Sequence, residues 1–553
     1  MNEMSVTLEQ RYDMLESDRL VFLDRARRCA ELTIPTLIPP AGHSKSTVYY
    51  TPWQGIGARG VNNLASKLLL ALFPPNAPFF RLEIDDFTAD ALARNNGQGK
   101  EVIEAGLSKI ERAVMAEIEG SGARSPSFLA FKHLIVAGNV LVSMPKEGGV
   151  RVFRLDSYVV KRDVHGNVID CIAKDELSPM ALSKKERKLL DDAERAKLER
   201  NEDKNKDGRE DQRKDADSPD RTIKLFTRWY RTDPALGTPM WRSYQELNGV
   251  IVPGSHGAWP IDKPPFLALR WNTVEGEDYG RSYVEEYLGD LISLEGLSKA
   301  IVEGSAAAAR LVFLLNPNGL TKLDSFRKAE NGDVITGKEG DVTVVQSQKQ
   351  ADLTIASNAA KEIQSRLAQA FLMNSSVQRQ AERVTAEEVR FMASELEDAL
   401  GGVYSILAQE FQYPFVVRIM DRMTKAKKLP KLPQGVVKPV IITGLEALGR
   451  GHDLQKYTAF LQVLQPLGPE VIAQFLKPSG FISHVASSLG IDPDDIVKTP
   501  DEIAAEQQQA EQMKQGQMLA DIAGKAAPAI VKSLGDQTMQ NKDLAASAQD
   551  SAK

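Results

Sequence analysis

The stretch Tyr279–Leu315, YGRSYVEEYLGDLISLEGLSKAIVEGSAAAARLVFLL, carries the clearest periodic signal in the chain. Val284, Tyr287, Leu288, Leu291, Leu294, Leu297 and Ile301 recur at spacings of three and four, which predicts one helix with an apolar face. A second stripe holds only small side chains: Gly289, Ser293, Gly296, Ala300, Gly304 and Ala307. Each interior glycine costs a soluble helix roughly 1 kcal/mol relative to alanine. Several on one stripe therefore imply that something approaches the backbone closely. Gly289, Gly296, Ala300 and Gly304 are the candidate packing positions, and the choices are a neighbouring helix of another copy or of the same chain.

Upstream of this helix lies a β-rich stretch of about fifty residues, too small to stand without partners. Thr222–Arg228 and Trp241–Leu247 alternate as strands, Asn248-Gly249 makes a tight turn into Val250–Val252, and Leu267–Trp271 reads as a further strand. Trp229, Trp241 and Trp259 give it more aromatic surface than its own core needs, so they are expected to be exposed and to form a docking surface. Before it, Lys184–Arg221 is almost entirely charged or polar. Its mixed signs support a solvated helix to about Arg200 and a looser end near Gly208 and Pro219.

The N-terminal part alternates helix and strand. Residues 8–34 read as a helix with Leu15, Val21, Phe22 and Leu32 inside and the arginines outside. Thr51–Pro75 ends in an apolar helix stopped by Pro74-Pro75. Val150–Val160 and Val164–Ala173 read as paired strands with the turn at Asp163–Asn167. Downstream of the quoted helix, Asp333–Thr336 and Asp341–Gln346 read as a hairpin and Leu353–Met373 as a helix. A polar break follows, and Thr385 with Glu388 forms a capping box for a long helix with a kink near Pro414. Residues 431–500 read as a small helical module, and the Gln/Ala-rich remainder as a loose tail.

Composition narrows the function classes. The chain has 553 residues, 26% of them charged, and a formal net charge of -6, the wrong sign for a tight nucleic-acid binder. Cys29 and Cys171 make no disulfide framework. No secretory leader and no membrane-length apolar run is expected. Gly97-Gln98-Gly99-Lys100-Glu101 lacks the first glycine of a phosphate loop and ends in a carboxylate. The six histidines have no zinc-ligand spacing, and the acidic pairs Glu285-Glu286 and Glu387-Glu388 sit on charged helices. No catalytic residue, cofactor site or metal site is nominated, and no enzymatic activity is expected.

Several blocks together resemble the portal, or head-to-tail connector, of short-tailed double-stranded DNA phages. They are TPWQGIGARGVNNLASKLLLALFP, AGNVLV, DSYVVKRD-x-x-GNV, YGRSYVEEYLGDL, SVQRQAERVTAEEVRFMASELEDALGGVYSILAQE and TGLEALGRG, in the family's order between about Tyr12 and Arg450. The resemblance implies a mixed α+β, mainly helical portal fold assembled as a ring of twelve around a DNA channel at one capsid vertex. Its parts would be a wing (1–180 and 316–430), a charged descending stem helix and linker (181–219), a β-rich clip (220–275), an ascending stem helix (276–315), a crown (431–500) and a flexible tail (501–553). The family's channel loop matches Asn374–Val384, carrying Arg379 and Arg383, and Lys349 would join them toward DNA. The implied partners are further copies of the chain, the large terminase subunit, a tail adaptor, the major capsid and scaffolding proteins, internal core proteins, and duplex DNA bound without sequence specificity, with no membrane. Assembly would take place in host cytoplasm and the product would reside in the virion. The alternative is a capsid or tail protein without a channel.

Overall fold

The computed structural model describes residues 6–44, 46–74, 79–84, 100–145, 149–182, 184–190, 222–232, 238–309, 312–345, 350–373, 396, 399–400, 402–430 and 437–441, with isolated positions at 460, 462 and 512–513. The chain divides into two compact units, Met1–Ala447 and Leu448–Lys553, and the elements named below belong to the first. The expected crown lies largely outside the described residues, as do nearly all of the C-terminal tail, 191–221 of the charged run, and the Thr385–Glu388 capping box.

Helix α1 (Leu8–Glu31) starts at a capping box in which Thr7 Oγ1 accepts from the Gln10 amide and Gln10 Oε1 accepts from the Thr7 amide. Its inner edge runs Leu8, Tyr12, Leu15, Arg19, Leu23, Ala26. Val21 is exposed, and Arg19 is inside rather than outside. Arg19 fits there because its guanidinium donates to Tyr12 Oη at 2.7 Å and to the carbonyl of Tyr158 at 2.8 Å, and pairs with Glu16. Helix α2 (Ile56–Leu72) is almost wholly apolar on its packed faces. Strand β1 (Phe80–Ile84) follows, then α3 (Lys100–Gly120) and α4 (Arg124–Ala137), the latter ended by Gly138 in the left-handed region.

From there the chain builds two sheets. Strand β2 (Asn139–Ser143) is central in a three-stranded sheet, with β3 (Arg151–Phe153) on one side and the later strand β10 on the other. Strands β4 (Tyr158–Arg162) and β5 (Val168–Leu177) form the expected hairpin around Gly166, whose φ is +81°. The sheet does not stop there. β5 pairs along its length with β6 (Ile223–Arg231), β6 with β7 (Met240–Leu247), and β7 with both β8 (Val250–Ile251) and β9 (Gly257–Pro260). The Asn248-Gly249 turn between β7 and β8 has both residues at positive φ, as such a turn requires. Strand β10 (Phe266–Arg270) leaves this sheet and pairs with β2.

The stretch 220–275 is thus not a separate module: it extends a sheet begun at Tyr158 and lends a strand to a second. The exposed-tryptophan expectation is corrected accordingly. Trp229, Trp241 and Trp259 are only 6%, 5% and 7% exposed. Strand alternation and register put all three on one face of the sheet, and Phe266 covers it, with ring centroids 5.3 Å from Trp229 and 5.0 Å from Trp241. The opposite face, with Val159, Ile172 and Phe226, packs on Leu8, Tyr12 and Leu15 of α1.

The quoted helix is broken twice. Ser282 caps a short turn, α5 (Tyr283–Glu286), Tyr287 interrupts it, and α6 spans Leu288–Ala308. Val312–Leu315 is a strand, β11, rather than helix. Helix α7 (Leu323–Lys328) follows, then β12 (Val342–Val345), and β12 pairs with β11, not with residues 333–336 as expected. Helix α8 covers Gln350–Ala370, and α9 spans Gly402–Leu407. A π-helical turn, Ala408–Gln412, then leads into α10 (Tyr413–Lys425), at the position where Pro414 suggested a kink. Strand β13 (Val437–Ile441) closes the unit by pairing with β1.

One core histidine makes stability pH-dependent. His133 on α4 is buried, and burial, aided by nearby Arg154 and Lys132, brings its pKa from 6.5 down to about 4. The fold keeps it neutral while the unfolded chain takes up its proton near 6.5. The stability it contributes is whole above pH 6.5 and is lost as pH falls toward 4, by at most about 3 kcal/mol. Urea unfolding at pH 7 and pH 5 should show this slope, and His133→Gln should flatten it. An unchanged slope would remove His133 as the cause.

Candidate assembly and channel elements

Helices α6 and α8 form an antiparallel pair. At one end Arg366 Nη2 of α8 meets Asp290 Oδ1 of α6 at 2.9 Å. At the other, a Cβ added to Gly304 would lie 2.8 Å from Leu353 Cδ2. Position 290 with 366 and position 304 with 353 fix the opposed directions over about 20 Å of helix. The Asp290 end is rooted in the body. Tyr283, Tyr287 and Phe371 form a ring cluster there, with centroids 5.2–6.1 Å apart.

A second root holds α6 through a residue that sequence reasoning missed. Glu295 is only 8% exposed, and its carboxylate accepts from Tyr50 Oη at 2.6 Å, the Trp53 amide at 2.8 Å and the Gln54 amide at 3.3 Å. The bond to Glu295 pushes the Tyr50 phenol up to about 12. Gln54 passes the linkage on, donating to the Leu32 carbonyl at 2.7 Å and accepting from the Gly57 amide at 2.9 Å. The signal in the sequence was a carboxylate beside the apolar face between Leu294 and Leu297.

The far end of the pair carries a small module, residues 312–345, built on the two-stranded ribbon β11–β12. One carboxylate organises it: Asp341 accepts from the amides of Leu320, Thr321 and Lys338 and from the Thr321 hydroxyl, at 2.8–3.1 Å. It has almost no core of its own. Val312, Phe313, Leu314, Leu320 and Leu323 are between 48% and 72% exposed. A two-stranded ribbon with that much apolar surface in water is marginal without a partner.

The four small positions separate in this frame. A Cβ at Gly289 or Gly296 would meet nothing within 4 Å, and Ala300 is exposed, so this edge of α6 is open within the chain. Gly304 differs: its space is taken by Leu353 of the same chain, which accounts for a glycine there without a neighbouring copy. Lys349, Arg379 and Arg383 lie outside the described residues; the described chain before Lys349 ends at Val345, and that before the two arginines at Met373. Among the described residues no group of His, Cys, Asp and Glu could hold a metal ion, and no helix is long and apolar enough to cross a membrane.

These elements define a class: a mixed α+β protein whose folded body carries a helical arm with an open small-residue edge and an uncovered β module at its tip, which suits a component of a larger assembly. Comparison with known proteins makes the class specific. Residues 5–497 match the family described as bacteriophage head to tail connecting protein. The chain is 39% identical over 545 residues to the portal protein of Escherichia phage T7, covering 98% of this chain and 96% of that one. It is 39% identical over 516 residues to the portal protein of Enterobacteria phage T3, covering 93% and 90%, and 32% identical over 525 residues to that of Enterobacteria phage SP6, covering 94% and 95%. The chain belongs to the bacteriophage head-to-tail connecting protein family, as a portal protein of the short-tailed phage type.

Proposed function

We propose that twelve copies close into a ring at one capsid vertex, and that double-stranded DNA is packaged, retained and ejected through its channel. The observation that carries this reading is the arm: an open edge on α6 with Gly289, Gly296 and Ala300, beside a tip module whose apolar surface its own chain leaves uncovered. A neighbouring copy packed along α6 supplies the close approach that these small residues permit.

In this reading the parts fall differently from those the resemblance implies. The α6–α8 pair is the stem, residues 312–345 are the clip, and the sheets with α1–α4 and α10 are the wing. The crown and tail retain their assignment to 431–500 and 501–553. Docking of the large terminase subunit during packaging, and of the tail adaptor afterwards, belongs to the tip module rather than to the buried tryptophans. Major capsid, scaffolding and internal core proteins meet other faces of the ring, which forms in host cytoplasm. The protein is a conduit: the packaging motor supplies the energy, and the ring itself needs no catalytic residue.

Arg379 and Arg383, with Lys349, form the cationic collar. Repeated around a ring, each arginine becomes a circle of guanidinium groups that stay charged at neutral pH and contact phosphates at any sequence. Replacing both arginines with alanine should leave rings intact and make filled heads lose genome before the tail attaches. Heads that assemble, fill and hold DNA like wild type would remove these residues from the role. A ring without a central hole in negative-stain images would favour a capsid or tail component without a channel.

A further inference from the structure

The chain has five tryptophans, and one of them stands apart. Trp229, Trp241, Trp259 and Trp271 are at most 7% exposed, whereas Trp53 is 45% exposed. Tryptophan leads the residues that carry binding energy where one protein covers another, so a half-exposed indole marks surface worth covering. Trp53 has apolar company in water. Val48 and Tyr50 of the same segment are exposed, and so is Ile292 of α6.

The segment is fixed to α6 through Glu295. The Trp53 amide and the Tyr50 hydroxyl both donate to Glu295 Oε1, at 2.8 and 2.6 Å, and the Gln54 amide donates to Oε2 at 3.3 Å. With about 100° per residue, Ile292 lies about 60° round the helix from Glu295, and Gly296 about 40° further in the same sense. Gly289 and Ala300 continue the turn, and Gly304 follows, where Leu353 of α8 fills the space. The open edge of α6 therefore runs between the 50–54 segment on one side and α8 on the other.

The two surfaces complement each other. Small residues let a neighbouring backbone come close but offer little area, and a stable interface covers about 1,200–2,000 Å² in total. Trp53, Tyr50 and Ile292 add the apolar area that glycine and alanine lack. The bonds to Glu295 hold the Tyr50 ring and the Trp53 backbone in place beforehand, so covering them freezes little further motion.

We propose that Val48, Tyr50, Trp53 and Ile292 form a docking surface for the adjacent copy of this chain, with Trp53 as its anchor. The proposal rests on the ring reading. The occupant is a second copy because the surface is contiguous with the α6 edge: a chain lying along Gly289, Gly296 and Ala300 also reaches Trp53. In a ring each surface meets a different surface of the next copy, so Trp53 faces a non-equivalent patch and not its own counterpart.

The tryptophan itself is the reporter. Acrylamide quenching of purified wild-type rings is compared with that of rings carrying Trp53→Phe, which keeps an apolar ring at the site. With the other four tryptophans buried, a freely quenched component that wild type has and Trp53→Phe lacks belongs to Trp53. The two ring samples should quench alike, while unassembled wild-type chains show that component. Trp53→Ala should leave the urea midpoint of the unassembled chain unmoved and lower the yield of closed rings at least about tenfold. Intact wild-type rings with a freely quenched Trp53 overturn the second copy as occupant, leave the surface to another protein of the particle, and leave the ring reading standing. A normal ring yield from Trp53→Ala likewise overturns the proposal alone. Purified wild-type protein that forms no closed ring overturns the ring reading, and the docking surface with it.

Discussion

Gly138→Val should remove a large part of the protein's stability. Gly138 ends α4 with φ +71°, a conformation that a β-branched residue adopts only under strain. The space is also closed by backbone rather than by side chains that can turn away. A Cβ would lie 2.5 Å from the Arg281 carbonyl carbon, 2.6 Å from the Ser282 nitrogen and 2.7 Å from the Arg281 oxygen. The two segments are tied at this point. Asn139 Nδ2 donates to the Gly280 carbonyl and the Gly280 amide donates to Asn139 Oδ1, each at 2.7 Å, while the Trp271 amide donates to the Gly138 carbonyl at 2.9 Å. Left-handed strain and forced separation together amount to about 3–5 kcal/mol, against a typical total of ~5–15. Gly276→Ala isolates the strain, since its φ is +83° and nothing lies within 4 Å of the added carbon. It should cost about 1 kcal/mol. Urea unfolding midpoints, or soluble yield for the valine variant, decide the matter. A Gly138→Val protein as stable as wild type would show that the 138 and 281 segments separate freely.

The same region shows what was legible beforehand. AGNVLV and YGRSYVEEYLGDL stood out as matched blocks, and the structure gives a physical ground for two of their glycines: Gly138 and Gly280 sit back to back where the end of α4, the start of β2 and the segment leading into α5 meet. Local signals were read well where local physics decides. The Asp163–Asn167 and Asn248-Gly249 turns follow from turn chemistry, whereas the single strand expected over Val150–Val160 is split by a tight turn at Leu155–Ser157 into β3 and β4, which lie in different sheets.

Partnership between distant segments was not legible. Alternation announced the strands after Thr222, but not that β6 joins β5, nor that β10 crosses to β2 and lays Phe266 over the tryptophans. Three tryptophans in a stretch with little core of its own looked like surplus surface. Their cover is Phe266 of the same stretch, carried on a strand that leaves the tryptophans' sheet to pair with β2. The helix that pairs with α6 among the described residues, α8, follows it in the chain. No periodicity within Leu353–Met373 says that Leu353 fills the notch at Gly304.

The contrast between two glycines of one stripe yields the second large effect. Gly296→Leu should leave a folded chain that no longer builds rings. Within the chain a Cβ at 296 meets nothing within 4 Å, so the leucine has room, and leaving glycine gains the helix up to about 1 kcal/mol. Unfolding of the isolated chain should therefore move little, or upward. Between copies the outcome reverses. Helices packed through glycine approach toward the near end of the usual ~8–10 Å interaxial range, and a leucine at the contact forces them apart. In a closed ring the same displacement recurs at every interface, so small errors in angle cannot be absorbed and closure fails. Gly304→Leu must be kept out of this experiment, because Leu353 occupies its space and the arm itself would be damaged. The native mass of purified Gly296→Leu protein should be that of a single chain or an open fragment, with closed rings reduced at least about tenfold, a shift of about 1.4 kcal/mol or more per closure equilibrium. Closed rings of normal mass and symmetry from this variant would mean that the open edge of α6 faces water in the assembly.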